Sequence, residues 1–305
     1  MIVDVVPGAL DGERLDRVVS IVADVSRAAA AALIEAGGVR LDGEAAAAGK
    51  VRVRAGQALE VDLDRLPAPA RPGPDPALPL DVAYEDADLV IVDKRAGVVV
   101  HPGAGHAAGT LVHALLARYP EMATVGDPTR PGIVHRLDAG TTGLLVAART
   151  QRAYEGLVAA LQRRDVTREY VVLVWGVPAA PSGVVDAPIG RDQRDPTRMA
   201  VVVGGREART HYRVEESYAV PAPVARLTCR LETGRTHQIR VHLASLGHPV
   251  VGDATYGGAR VRLRAPRPML HARRLAFVHP VTGAHVERES PIPADMADVL
   301  ARCSS

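Results

Sequence analysis

The stretch PGIVHRLDAGTTGLLVA, residues 131–147, contains the ionisable group on which the interpretation of this chain depends. Asp138 is followed by a small, flexible segment, AGTTG, and then by an apolar run. This order predicts an acid on a turn just before a buried strand or helix. Arg136 lies two residues before Asp138 and falls on the same side if the backbone is extended. The sequence therefore predicts a carboxylate that is held in a defined place.

The size and composition of the chain fit a globular protein of two domains. The chain has 305 residues, 47% of them apolar, and no apolar run approaches the ~18–20 residues that span a bilayer. The N-terminus is acidic and lacks the basic-then-apolar order of a signal peptide. Two cysteines, Cys229 and Cys303, are too few for a disulfide framework or a four-cysteine zinc site. We expect a cytoplasmic protein with no membrane association and no bound metal.

The charge of the chain says little about its partners. The net charge is +2, and the 37 basic residues include two lysines, Lys50 and Lys94, which leaves 35 arginines. Arginine suits bidentate contacts to phosphate and stacking on bases, which favours an RNA partner. The codon usage of a GC-rich genome produces the same excess of arginine, so this excess is weak evidence for an RNA partner and the sequence motifs are needed to identify one.

Three parts follow one another along the chain. Residues 12–62 form a compact module, residues 64–79 hold six prolines and one glycine, and residues 80–300 form a larger domain. The proline-rich segment predicts an extended linker. The sequence contains no internal repeat, and we expect a monomer.

The first module has the order helix, helix, turn and strands. Apolar residues at helical spacing begin at Leu15, and Ser26 is a suitable N-cap for a second helix over 27–36. Short strands are expected at three places: 39–41, 50–54 and 58–62.

Within this module, residues 26–43, SRAAAAALIEAGGVRLDG, resemble the alpha-L RNA-binding motif first named for a small-subunit ribosomal protein. Asp42 stands where that motif usually has asparagine. The resemblance implies that the module binds RNA through arginines that meet phosphates. These arginines are Arg14, Arg17, Arg27 and Arg40. The alternative is a small stabilising cap with solvated arginines, because residues 12–62 hold eight acidic against seven basic residues.

The larger domain mixes strand-like and helix-like segments. Strands are expected around an acidic turn within 80–92, at HRLD (135–138) and over 167–174. Helices are expected over 110–118 and 151–163. Further segments, each a strand or a helix, cover 226–231, 235–241 and 270–277. The mixture predicts an α+β fold with a mainly antiparallel, mixed sheet, beside the small N-terminal α/β module.

Four motifs occur in order along this domain. They are HRLD at 135–138, REY at 168–170, GRTHQIRVHLA at 234–244 with GHPVVGDATYGG at 247–258, and LHA at 270–272. Together they resemble the RluA-type pseudouridine synthases, whose first signature reads HRLDxxTSGLLxxA. Thr142 replaces the serine of that signature. The resemblance covers about residues 12–290 and implies the pseudouridine synthase fold, with ribosomal large-subunit RNA as the expected substrate.

The resemblance also implies a reaction, the isomerisation of uridine in RNA to pseudouridine. The bond from ribose to N1 of uracil breaks, the base turns, and C5 takes the place of N1, so no cofactor is needed. Asp138 corresponds to the catalytic carboxylate, Arg240 to its basic partner and Tyr170 to a tyrosine that stacks on the base. The sequence leaves open whether Asp138 attacks the sugar, adds to the base or removes a ribose proton.

Other residues and other functions complete the expectation. Arg136 and Arg235 are expected to contact RNA. Mainly structural roles are expected for three histidines, His135, His237 and His242. The alternatives are a synthase acting on transfer RNA, a non-catalytic RNA-binding ribosome-assembly factor, and a hydrolase of the same glycosidic bond. The intact set of an acid, a tyrosine and an arginine favours the enzyme.

Overall fold

The computed structural model describes residues 1–25, 27–67, 71–103, 106, 108–192, 194–195 and 198–304. The chain divides into two compact units, Met1–Ala70 and Arg71–Ser305. The division falls inside the stretch 64–79 for which the sequence predicts a linker. Residues 71–79 form no helix or strand, and the Asp75 N–H donates to the carbonyl of His113 within the second unit.

Among the described residues, the N-terminal unit contains two α-helices, two short 3-10 helices (Gly8–Leu10 and Leu63–Arg65) and a four-stranded antiparallel sheet. The helices are α1 (Leu15–Val22) and α2 (Arg27–Glu35), and the strands are β1 (Ile2–Val5), β2 (Val39–Leu41), β3 (Glu44–Ala45) and β4 (Ala58–Val61). The strand order is β1-β4-β2-β3. Helices and sheet share one apolar core, which includes Leu15, Val18, Leu33, Val39, Leu59 and Val61. Ser26, the expected N-cap of α2, lies outside the described residues.

Two features of this unit differ from the sequence prediction. The sequence does not predict β1, and residues 50–54 form no strand but only an isolated bridge between Arg14 and Arg52. The backbone of 50–54 pairs instead with residues 12–15, through three bonds: Gly12 N–H to the Val53 carbonyl, Leu15 N–H to the Val51 carbonyl and Val53 N–H to the Glu13 carbonyl.

The second unit is built on a nine-stranded, mostly antiparallel sheet. Its strands are β5 (Val82–Glu85), β6 (Leu89–Lys94), β7 (Thr142–Ala148), β8 (Thr167–Trp175), β9 (Ser182–Asp186), β12 (Arg209–Tyr218), β13 (Val224–Leu231), β14 (Leu270–Val278) and β15 (His285–Glu289). A separate hairpin joins β10 (Ile189–Arg191) to β11 (Met199–Val201). The sheet order is β5-β6-β7-β14-β8-β13-β12-β9, and β15 pairs with β14. Among the described strands only β7 and β14 run parallel, so the predicted α+β class with a mainly antiparallel, mixed sheet is confirmed.

Helices cover both faces of this sheet. They are α3 (Leu111–Arg118), α4 (Gln151–Arg163), α5 (Gln238–Ser245) and α6 (Ala294–Leu300). The side chains of β6 alternate between two cores: Val90 and Val92 pack with α3 and α5, and Leu89 and Ile91 pack with α4. Burial on both faces explains why this strand is apolar at consecutive positions. None of the described helices combines the length and apolarity that crossing a membrane requires.

The HRLD tetrapeptide forms no strand, contrary to the prediction. It lies in an irregular loop beside β7, where the Nε2 atom of His135 accepts the Val146 N–H at 3.1 Å. The imidazole thereby takes a backbone donor that a neighbouring strand would otherwise pair. Asp138 then precedes a turn, in which the Thr141 N–H donates to its carbonyl at 3.0 Å, and β7 begins directly afterwards. The predicted acid on a turn before a buried strand is confirmed.

Gly143 brings the start of β7 against β14. Its φ of +106° is a backbone conformation that favours glycine, and a Cβ atom here would overlap the carbonyl of Ala272. The glycine thus permits the close parallel pairing that fixes the strand directly after the Asp138 turn.

Candidate active site

Asp138 and Arg240 meet although 102 residues separate them in the sequence. Arg240 lies in the first turn of α5, and its Nη1 donates to Asp138 Oδ2 at 3.0 Å. The Arg240 side chain is 8% exposed and that of Asp138 is 18% exposed. The carboxylate is thus oriented by a buried cation while one side of it stays open.

A second carboxylate fixes Arg240 from behind. Asp253 is fully buried and accepts from Arg240 Nε at 2.6 Å and Nη2 at 2.9 Å, a bidentate pair. Burial acts to lower the pKa of Arg240, but the hydrogen bonds and charges of Asp253 and Asp138 outweigh it and raise that pKa. Arg240 therefore stays charged. Asp253 holds its Nε and Nη2 atoms, so the Nη1 atom is directed towards Asp138.

Asp253 is itself held by the backbone of the GDATYG segment. Its Oδ1 accepts the N–H groups of Thr255 at 3.0 Å and Tyr256 at 3.3 Å. The Tyr256 ring lies 5.1 Å from the Arg240 guanidinium carbon, a cation–π distance. The sequence singled out this segment as a motif but did not assign a role to Asp253, because nothing local pairs it with a residue thirteen positions earlier.

Tyr170 lies in β8 and lines the same cavity as Asp138 and Arg240. The cavity has a volume of ≈ 620 Å³, which is within the range of pockets that hold one small ligand. Tyr170 is 5% exposed, and burial raises the pKa of its hydroxyl, an effect that Arg168 opposes. Acid, arginine and tyrosine, which the motifs placed in three segments, therefore share one cavity.

His237 also belongs to this cavity, although the sequence predicts a mainly structural role for it. Its Nε2 lies 4.0 Å from Asp138 Oδ1, and its Nδ1 is 2.9 Å from the Tyr256 hydroxyl. Its backbone is left-handed, with φ +57°, at the residue before α5. Burial lowers the pKa of His237, and the charge of Asp138 acts against that shift.

Lys94, at the end of β6, holds the turn that carries Asp138. Its Nζ donates to three carbonyls, those of Arg95 and Val98 at 2.9 Å each and Ala139 at 3.2 Å. An ammonium has three donors in this arrangement, whereas a guanidinium is planar. Burial lowers the pKa of Lys94 to about 7, and the charge of Asp138 acts against that shift. Lys94 is one of two lysines in a chain with 35 arginines, and this rarity was the sequence signal that could have identified it.

Known proteins are similar to this chain over nearly its whole length. The family model "RNA pseudouridylate synthase" matches residues 88–245. An uncharacterized RNA pseudouridine synthase of Chloroflexus aurantiacus is 49% identical, over 97% of this chain and 92% of that protein. Ribosomal large subunit pseudouridine synthase D of Nitrosomonas europaea is 46% identical, over 97% and 86%. The protein of that name from Xanthomonas campestris is 42% identical, over 97% and 90%.

The chain belongs to the RNA pseudouridine synthase family. It is an enzyme that isomerises uridine in RNA to pseudouridine, as the resemblance predicted. The structure of human RNA pseudouridylate synthase domain containing 1 is similar too, with a TM-score of 0.59 and 29% identity, over 76% of this chain and 90% of that one.

The arginines predicted to bind RNA lie in different settings in this pseudouridine synthase. Arg136 and Arg235 both line the cavity. Arg136 is exposed and has no hydrogen-bond or ion-pair partner within the described part of the chain, whereas Arg235 donates to the carbonyl of Glu207 at 2.9 Å. In the N-terminal unit, Arg14 and Arg27 pair with the buried carboxylate of Asp16, at 2.6 and 2.9 Å.

Arg40 and Arg17 complete the predicted set. Arg40 is exposed on β2, and its side chain has no partner among the residues that the structure describes. Arg17 pairs with Glu13 at 2.9 Å on the surface. Of the four arginines predicted to meet phosphates, three form ion pairs within the unit. Arg40 is the one whose guanidinium has no partner among the described residues and is free to bind a ligand.

Two further side-chain groups of the synthase have local structural partners. His242 is fully buried and bonds to the Thr210 hydroxyl and the Ala187 carbonyl, both at 2.9 Å.

Among the described residues, one group of three side chains is close enough to share a metal ion, with its ligand atoms within 4.8 Å of one another. Its members are Asp86, Asp88 and His279, which do not line the cavity and bond to each other and to nearby hydroxyls.

Proposed function

We propose that this synthase modifies specific uridines of large-subunit ribosomal RNA, with Asp138 as the reacting carboxylate and without a cofactor. The observation that supports the chemistry is the contact of Asp138 with Arg240 in a cavity that also contains Tyr170. Two of the relatives, at 46% and 42% identity, bear the name ribosomal large subunit pseudouridine synthase D, which supports the substrate.

The target uridine has to leave its stack to reach Asp138. Extruding a base costs a few kcal/mol, least in loops and bulges, so structured RNA with single-stranded elements suits the site. Seven arginines line the cavity against three carboxylates among the described residues, which favours a polyanion at its mouth. These arginines are Arg130, Arg136, Arg164, Arg168, Arg206, Arg235 and Arg240.

Inside the cavity each residue has one task. Asp138 lies at the sugar and breaks the bond to N1, Arg240 orients it, and Tyr170 stacks on the base that turns. The reaction is an isomerisation, so no atom or electron has to come from a cofactor.

This proposal is tested by mapping pseudouridine on unmodified large-subunit ribosomal RNA and on transfer RNA after incubation with the protein, without added cofactor. We expect new pseudouridines at a few positions of the ribosomal RNA. Pseudouridine on transfer RNA alone would reassign the substrate. Pseudouridine on neither RNA, with folded protein that binds both, would favour the binding or assembly role.

We further propose that residues 12–62 bind RNA, as the resemblance to the alpha-L motif implies. The free, exposed guanidinium of Arg40 supports this proposal. We expect R40A to weaken RNA binding about equally for all sequences and to reduce the slope of log affinity against log salt by about 1. The matched control is R230A, an exposed arginine of the second unit that does not line the cavity. An unchanged slope in R40A would contradict the contact.

A further inference from the structure

Arg168 is a buried cation in the cavity that has no acidic partner. It precedes Tyr170 by two residues in β8, so both side chains lie on the same face of the sheet. It is 6% exposed and lines the cavity. Its Nη2 donates to the Glu232 carbonyl at 3.2 Å, and its Nε is buried without a partner. Within the described residues no carboxylate lies at ion-pair distance from Arg168.

Other buried arginines of this unit are neutralised within the fold. Arg240 pairs with Asp253, and Arg267, 8% exposed, pairs with Asp295 at 2.6 Å. The carboxylate of Glu232, whose backbone accepts from Arg168, is instead engaged by Arg164. A lone buried charge and an unpaired buried donor are both costly, so a buried arginine that lines the cavity without a carboxylate partner needs an explanation. A carbonyl or anionic acceptor of a bound substrate would supply the partner that the described residues do not.

The cavity also has room beside this guanidinium. A Cβ atom at Gly234 would lie 2.9 Å from Arg168 Nη1, so a glycine at this position leaves the Nη1 atom unobstructed. The Nη1 atom has no hydrogen-bond partner among the described residues. Tyr170 lies two residues along β8 from Arg168, and both line the cavity together with Asp138. A base whose sugar is at Asp138 and whose ring lies on Tyr170 therefore occupies the same cavity as Arg168.

We propose that Arg168 binds a carbonyl oxygen of the extruded uracil and stabilises the negative charge that the base acquires when its bond to ribose breaks. This inference rests on the proposed function. The N1–C1′ bond breaks with its electron pair left on N1, from where the charge spreads onto the two carbonyl oxygens. C1′ gains an oxygen of Asp138, or a double bond to C2′ as Asp138 takes the C2′ proton. When C5 then bonds to C1′, the bond between C1′ and Asp138 breaks, or Asp138 returns its proton to C2′. C5 loses its proton and N1 gains one, and the charge on the base disappears.

Such a contact is strongest while the base is detached, so it accelerates the reaction more than it tightens binding. A buried cation whose acceptor gains negative charge only in this state serves as a preorganised electrostatic group. Three quantities therefore have to be measured together: the rate constant of a single turnover, the RNA dissociation constant and the melting temperature.

We expect R168M to lower the single-turnover rate constant for pseudouridine formation ~10²–10³-fold. The RNA dissociation constant should stay nearly unchanged, and the melting temperature should stay equal or rise, because methionine replaces a buried charge without a partner. R168K, which keeps the charge, should fall between R168M and the wild type. The matched control is R273M: Arg273 also has a buried Nε without a partner but does not line the cavity, and the rate should not change.

A second substrate distinguishes stabilisation of the negative charge on the base by Arg168 from a purely steric role of its side chain. Fluorine at C5 withdraws electrons and makes uracil a better leaving group, so the deficit of R168M should shrink on RNA that carries 5-fluorouridine. This is measured as loss of 5-fluorouridine from a nuclease digest of the RNA. Equal deficits on both substrates, a melting temperature that falls together with activity, or full activity of R168M would overturn the inference. If the wild type itself makes no pseudouridine, the proposed function fails and this inference fails with it.

Discussion

Asp138→Asn is expected to lower the rate of pseudouridine formation by at least ~10³-fold while leaving the protein folded. Asparagine has the same shape, and its amide oxygen can still accept from Arg240 Nη1, which now donates to Asp138 at 3.0 Å. The amide cannot act as a nucleophile or base, whichever role the carboxylate has. Arg240 keeps its bidentate bond to Asp253, so its charge stays compensated. Single-turnover assays and thermal melts measure the two effects.

The matched control for this substitution is Asp165→Asn, the same chemical change at an exposed residue that does not line the cavity. We expect that variant to have wild-type activity, because an exposed pair such as Asp165 with Arg163 contributes little to stability. An active Asp138→Asn enzyme would show that the carboxylate does not react, and that Arg240 or Tyr170 has a larger part in the chemistry.

Much of the fold could be predicted because its cause is local. The bounds of α4, Gln151–Arg163, coincide with the predicted helix, because an apolar face at helical spacing is stabilised by one core. The α+β class followed in the same way from alternating strand-like and helix-like segments. The prediction of a strand at HRLD was wrong. The Val146 N–H of β7, which a strand there would have paired with, donates instead to the His135 imidazole, 11 positions away in the sequence.

The site could be predicted only as far as the family motifs extend. They name Asp138, Tyr170 and Arg240, and the fold puts these three around one cavity. Asp253 was missed although its motif was recognised, because its task is to hold a side chain of another segment. Lys94 was missed for a related reason, since one of its three carbonyl partners belongs to Ala139, 45 residues further along the chain. Periodicity and composition detect faces and charges, whereas these two residues act through contacts that exist only in the folded chain.

Asp253→Ala is expected to have the largest effect on stability, a loss of ~3–5 kcal/mol in the free energy of unfolding. Removing this carboxylate leaves the Nε and Nη2 donors of the buried Arg240 without their acceptor, and it also frees two backbone N–H groups at Thr255 and Tyr256. Asp253→Asn should cost less, because the amide oxygen still accepts, although one donor faces the NH₂ group. Denaturant titration measures both.

The same variants test whether Asp253 positions Arg240 for catalysis. With its rear partner gone, Arg240 can swing away from Asp138, so we expect Asp253→Asn to lower the turnover rate ~10–100-fold under conditions where all of the protein is folded. Asp81→Asn is the matched control, because Asp81 forms a bidentate pair with Arg95 that is exposed, and it should change stability by less than ~1 kcal/mol and leave the rate intact. If Asp253→Asn loses stability but keeps its rate per folded molecule, the Asp253–Arg240 pair is structural, and Arg240 needs only Asp138 to hold its place.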